Sequence, residues 1–139
     1  FGFVDIIDNY SGTNAANLAN YYAGVAYLNT GKYLEAIKHL DQFKADDTNL
    51  APIAKGAIGD AFAQLDQQEE ALKYYENAVS MSSSELTAPR FLLKAGIIAI
   101  DLGKSSVALK HLNAILDDYP KSPEAEKATL YLGKAEAMK

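Results

Sequence analysis

The chain has 139 residues, enough for one domain with a real core, and 49% of them are hydrophobic, which excludes a disordered chain. A formal net charge of −5 argues against a nucleic-acid partner and against an acidic membrane surface, since both call for clustered Lys and Arg. Cysteine is absent, which removes disulfides, thiolate nucleophiles and sulfur-ligated metals together.

Apolar and small residues recur at helical spacing nearly throughout, and no window alternates as a strand would, so the chain is predicted all-α. Eight helical segments are expected, over 1–10, 14–29, 33–45, 50–66, 68–82, 86–102, 105–119 and 122–138. The first carries the apolar residues Phe1, Phe3, Val4 and Ile7. Ser11-Gly12-Thr13-Asn14 then supplies a turn and an N-cap. Gly31 and Gly103 follow apolar-periodic helices, where a left-handed closing residue suits glycine. Asp46-Asp47-Thr48-Asn49 makes a polar break before the helix that contains Pro52, and Ser82-Ser83-Ser84-Glu85 makes another. Pro120 and Pro123 bracket the last break, with Ser122 as the expected cap and Pro123 in the first turn. No apolar run reaches the roughly 18 residues that span a bilayer. The chain opens at Phe1 rather than Met, which suggests an excised fragment with an upstream targeting segment or membrane anchor left out.

Laid over these helices is a spaced recurrence. Gly24, Gly59 and Gly96 are each followed twelve residues later by Ala36, Ala71 and Ala108, and sixteen later by Leu40, Tyr75 and Leu112. Gly133 starts a fourth copy that the chain end cuts short, and the glycine steps are 35, 37 and 37 residues. A period in this range marks a solenoid of stacked helix pairs. The glycines would let the paired backbones approach, with the three alanines expected to meet them. Tyr27, Phe62, Leu40, Tyr75, Leu112, Phe43 and Ile115 would fill the space between layers.

The stretch Gly24-x-x-Tyr27-x-x-x-Gly31-x-Tyr33-x-x-Ala36, with Leu40 and Phe43 after it, resembles a tetratricopeptide repeat. The second copy keeps Gly59, Phe62, Ala71, Tyr75 and Ala78 but has Asp66 and Gln68 where the glycine and tyrosine stood. The third keeps Gly96, Gly103, Ala108, Leu112 and Pro120, with Ala99 at the aromatic position. The resemblance implies a right-handed superhelix of antiparallel helix pairs in a single domain. Full repeats would occupy 14–49, 50–85 and 86–121, with partial repeats at both ends. Phe3–Tyr10 matches Leu112–Tyr119 in register, so 1–10 would be the second helix of a truncated repeat. Residues 122–138 would be a capping helix, made wettable on one side by Glu124, Lys127, Lys134 and Glu136. The phrase Tyr119-Pro120-Lys121-Ser122-Pro123-Glu124-Ala125 is similar to linkers in repeat proteins of bacterial cell envelopes, which implies a periplasmic or envelope location, a cytoplasmic one being the alternative.

Catalytic and metal chemistry find little footing. His39 and His111 are the only histidines and lie at equivalent places two repeats apart, about 16–20 Å from each other, too far for one ion to bridge. They read as surface or boundary residues. Gly103-Lys104-Ser105 lacks the upstream glycine and strand of a phosphate-binding loop. Asp46-Asp47 and Asp117-Asp118 lack the spacing of a calcium loop. Asn9-Tyr10-Ser11 matches a glycosylation acceptor, a pattern that chance often supplies. No catalytic residue, cofactor site or metal site is therefore expected.

In the family that the chain resembles, first helices line a concave groove. That layout puts Tyr21, Val25, Leu28, Asp60, Gln64, Arg90, Lys94, Ile97 and Asp101 on or near the groove. Such a mixed surface suits an extended peptide or a partner's helix. A subset of the family clamps a peptide's C-terminal carboxylate with five polar residues. Arg90 and Lys94 match two of them in charge, whereas Tyr21, Val25 and Ala57 replace a lysine and two asparagines. The expected function is a non-catalytic scaffold for a protein or peptide partner, in an envelope assembly or secretion context. The alternatives are a module that self-associates as a homodimer through its N-terminal apolar segment, and the regulatory part of a larger chain.

Overall fold

The computed structural model describes residues 2–9, 12–44, 49–82 and 84–139. Among the described residues there are eight helices and no strand: α1 (Phe3–Asn9), α2 (Asn14–Asn29), α3 (Tyr33–Gln42), α4 (Leu50–Gln64), α5 (Gln68–Met81), α6 (Ala88–Asp101), α7 (Ser105–Asp118) and α8 (Glu124–Ala137). Asp46, Asp47, the acceptor serine Ser11 and the apolar Phe1 lie outside the described residues. No helix among the described residues is long and apolar enough to cross a membrane.

Local chemistry sets the helix ends. Thr13 caps α2, its hydroxyl accepting the Ala16 N–H at 3.0 Å. Three hairpin turns then share one closing geometry. Lys32, Gln67 and Lys104 donate their N–H groups to the carbonyls of Tyr27, Phe62 and Ala99 at 2.8, 2.9 and 2.8 Å. The residue before each sits in the left-handed region: Gly31 at φ +79°, Asp66 at +59° and Gly103 at +74°. This is a Schellman closure repeated three times. Asp66 keeps the turn where the glycine is lost, because a short polar side chain tolerates that conformation better than most. At the last break the sequence expectation needs correction. Pro123 holds the position before α8, and the Ser122 backbone carbonyl, not its hydroxyl, accepts the Ala125 N–H at 3.1 Å. The Ser122 hydroxyl is buried and finds no hydrogen-bond partner among the described residues.

The hairpins α2/α3, α4/α5 and α6/α7 close on their glycines. A Cβ on Gly96 would lie 2.7 Å from Leu112 Cγ, one on Gly59 2.7 Å from Tyr75 Cε1, and one on Gly24 2.8 Å from Leu40 Cδ2. The glycine is thus a seat for the bulky residue sixteen positions on. Of the alanines at twelve positions on, which were expected to meet it, Ala71 does so through its carbonyl oxygen, 3.3 Å from the added Cβ on Gly59, and all three are fully buried beside the contact. Gly133 has open space around it, as befits a first helix with no second helix against it among the described residues. A further seat crosses between repeats: Gly56 on α4 receives the ring of Phe91 on α6, whose Cδ1 would be 2.8 Å from an added Cβ. Fully burying a side chain such as Leu40, Leu112 or Phe91 contributes about 1.5–3 kcal/mol, the two leucines to hairpin closure and Phe91 to the stacking of one pair on the next.

The pairs stack in chain order, α3 on α4, α5 on α6 and α7 on α8. First helices also meet directly, α2 with α4 and α6 with α8. Second helices reach each other through long side chains, Lys104 to Glu69 at 3.0 Å and His111 to Glu76 at 2.6 Å. The architecture is an all-α right-handed superhelix of antiparallel pairs.

Candidate functional site

The candidate inner face, placed by the layout expected for the fold, consists of residues spaced three and four apart on α2, α4 and α6, which puts each set on one side of its helix. The charged members converge. Lys94 Nζ donates to Asp60 Oδ1 at 2.7 Å, and the Tyr75 hydroxyl donates to the same oxygen at 2.6 Å. Lys94 also lies over the Tyr75 ring, 5.9 Å from its centroid. Burial, the Asp60 charge and the Asp60 hydrogen bond push the Tyr75 phenol well up, against a smaller opposing pull from Arg90. Burial likewise raises Tyr21, with Tyr22 adding to it and Arg90 opposing. Arg90 is exposed and lies near enough to both tyrosines to oppose their shifts slightly.

The remaining expected residues divide. Tyr21, Val25 and Leu28 are half-buried against the core of the first half, and Ile97 against that of the second. Tyr21 is held between Tyr22 and Phe43, at centroid distances of 5.4 and 5.2 Å. It serves packing at least as much as the groove wall. Gln64 and Asp101 are exposed, and neither makes an ion pair or a side-chain hydrogen bond among the described residues.

Several inner-face residues escaped the sequence reading. Counted from its glycine, Tyr22 stands where Lys94 stands, and it stacks on Phe3 at 5.6 Å much as Lys94 covers Tyr75. Tyr22 is 46% exposed and Leu18, the counterpart of Arg90, 40%. At the other end a cavity of about 570 Å³ opens between α6 and α8, lined by Leu93, Lys94, Ile97, Lys127, Leu130, Tyr131 and Lys134. The signal for it was the step of 37 from Gly96 to Gly133, which carries Arg90, Lys94 and Ile97 onto Lys127, Tyr131 and Lys134. Taking α8 for a wettable cap hid that correspondence, and Leu130, 69% exposed, breaks the polar surface expected there.

Both histidines, expected at the surface or its boundary, are 8% and 7% exposed, on the buried side of that boundary. Each immediately precedes the residue that fills a glycine seat, which turns it into the seam. His39 Nδ1 lies 3.0 Å from Asn20 Oδ1, and its ring stacks on Tyr27 at 5.4 Å. Burial and the nearby Lys38 charge lower its pKa, Asp8 opposing. Each histidine thus has a hydrogen-bonding partner within the fold. Among the described residues no group of three or more His, Cys, Asp or Glu could hold a metal ion.

The comparisons agree with this geometry. A search of curated protein sequences gives no match. The crystal structure of PcrH in complex with the chaperone binding region of PopB superposes with a TM-score of 0.65 at 19% identity, covering 93% of this chain and 98% of that one. The crystal structure of MamA superposes with a TM-score of 0.71 at 17% identity, covering 98% of this chain and 84% of that one. The family model for the tetratricopeptide repeat matches residues 21–85 and 93–139. Glycine seats, repeated turns and the family match coincide along the same register, and the chain belongs to the tetratricopeptide repeat family.

Proposed function

We propose that the chain is a non-catalytic interaction module that holds a segment of another protein against its first helices, in a bacterial envelope assembly or secretion setting. The observation that carries this reading is the inner face itself. It combines exposed aromatic and aliphatic side chains on α2 with an apolar cavity ringed by cations between α6 and α8. Apolar anchor positions beside a few charges are what an extended peptide or an amphipathic helix requires. PcrH, similar in fold, was crystallised with a binding region of another protein, which supports the same use here. The envelope setting is supported by the Tyr119–Ala125 phrase alone.

Site-specific photocrosslinking in cells tests the reading. A photoreactive residue at Val25 or Ile97 is expected to capture a discrete protein, whereas one at the outward Lys73 or Lys110 is not. Equal capture from both faces would refute a role for the groove.

A second reading, self-association through the N-terminal patch, is favoured by the exposure of Phe3 (42%), Val4 (37%) and Leu18 (40%) on adjoining helices. Light scattering decides it. A dimer abolished by Phe3→Asp supports it, and a monomer at every concentration removes it.

A further inference from the structure

Along the inner face the charge is unevenly placed. Counted from each glycine, the inward positions of α2 are Leu18, Tyr22 and Val25, and those of α4 are Ile53, Ala57 and Asp60. On α6 they are Arg90, Lys94 and Ile97, and on α8 Lys127, Tyr131 and Lys134. A chain of net charge −5 therefore gathers four cations at one end of its groove. Among the described residues only Lys94 of the four has an acidic partner, Asp60 at 2.7 Å. Lys127 and Lys134 are exposed and make no ion pair among the described residues, Lys134 lying instead over the Tyr131 ring at 5.1 Å.

These two lysines flank the apolar floor. They are seven residues apart on α8, two turns or about 10 Å along the axis, with Leu130 and Tyr131 between them on the same face. Leu93 and Ile97 form the opposite wall. Exposed like charges about 10 Å apart repel only weakly through water, and among the described residues neither lysine has an acid within ion-pair distance.

We propose that the α6–α8 end of the groove takes an acidic amphipathic segment of a partner protein, with two carboxylates about two turns apart set against Lys127 and Lys134 and apolar side chains between them seated on Leu93, Ile97, Leu130 and Tyr131. The proposal rests on the protein-binding reading and names the chemistry of its partner. Rim charges of this kind govern selection and encounter rate more than raw affinity, so the partner's sign is what they decide.

The test uses the full chain, labelled with nitrogen-15, and two synthetic amphipathic peptides of about five turns. Both have the same apolar pattern, one with Glu at the flanking polar positions and the other with Lys. The Glu peptide is expected to shift amide resonances of α6 and α8 and to bind at least about tenfold more tightly at low salt, the difference shrinking as salt is added. The double variant Lys127→Glu, Lys134→Glu is expected to reverse the preference, a gain that a merely unfolded variant could not show. Equal affinity of both peptides for the same resonances would overturn the acidic-partner inference while leaving the protein-binding reading intact. If neither peptide disturbs any inner-face resonance, the acidic-segment inference falls, and the photocrosslinking result alone decides the protein-binding reading.

Discussion

Tyr75 lies over Gly59 and at the same time gives its hydroxyl proton to Asp60, the next residue on α4, at 2.6 Å. One side chain thereby closes a hairpin seam and anchors the carboxylate that holds Lys94 on the inner face. Core packing and groove electrostatics are linked through that ring.

Removing the hydroxyl should therefore be felt on both sides. Tyr75→Phe is expected to lower stability by about 1 kcal/mol, and Asp60→Ala by about 1–3 kcal/mol because it strands the phenol. The double variant should cost less than the sum, since both changes remove one bond. Urea unfolding of the four proteins checks this, and strict additivity would contradict the link. Since Tyr75 is held neutral in the fold, stability should also fall as pH rises above the ordinary tyrosine value of 10.0, and less steeply in the Phe variant.

The glycine seats make opposite forecasts for chemically identical changes. Gly96→Ala would push a methyl onto the fully buried Leu112, and is expected to destabilise by about 1–3 kcal/mol despite the better helix propensity of alanine. Gly133→Ala meets nothing, and should stabilise by about 0.5–1 kcal/mol. Thermal melts of the two variants distinguish a seat from an idle glycine. Equal effects at both sites would refute the distinction.

The middle turn can be improved. Asp66 occupies the left-handed conformation that glycine fills in the two sister turns. Asp66→Gly is expected to raise stability by up to about 1 kcal/mol, and Gly103→Ala to lower it by about 1 kcal/mol. Denaturant midpoints report both, and a loss on Asp66→Gly would show that the aspartate contributes more than its backbone angle.

His39 supplies a pH dependence. Its folded pKa is depressed by burial, so the folded state holds the ring neutral while the unfolded chain binds a proton below 6.5. Stability should be full above about pH 6.5 and decline as pH falls from there to the lower folded value, levelling off beneath it. His39→Gln should flatten this part of the profile relative to the parent protein. Identical slopes in the two, from unfolding series between pH 7.5 and 4.5, would exclude His39 as the source.

Much of the fold was legible without coordinates because it is written in local periods. Helical spacing, the glycine step and the closing residues each reflect interactions within one turn or one hairpin, and all eight predicted segments contain their helices. The groove residues came from the family layout laid over the glycine register; spacing alone gives which residues share a helix face, and adjacent residues such as Tyr21 and Tyr22 differ by only about 100° around the axis.

By itself, then, the sequence determined the period, the paired helices and the turns, all of which are set by neighbours close along the chain. Only the tertiary structure decided which long side chains reach across repeats. Lys94 meets Asp60 from 34 residues away, Phe91 enters Gly56, and His111 turns inward to Glu76. No local period constrains those distances. They follow from how tightly successive helix pairs stack, and that is settled by the fit of whole side chains against backbones.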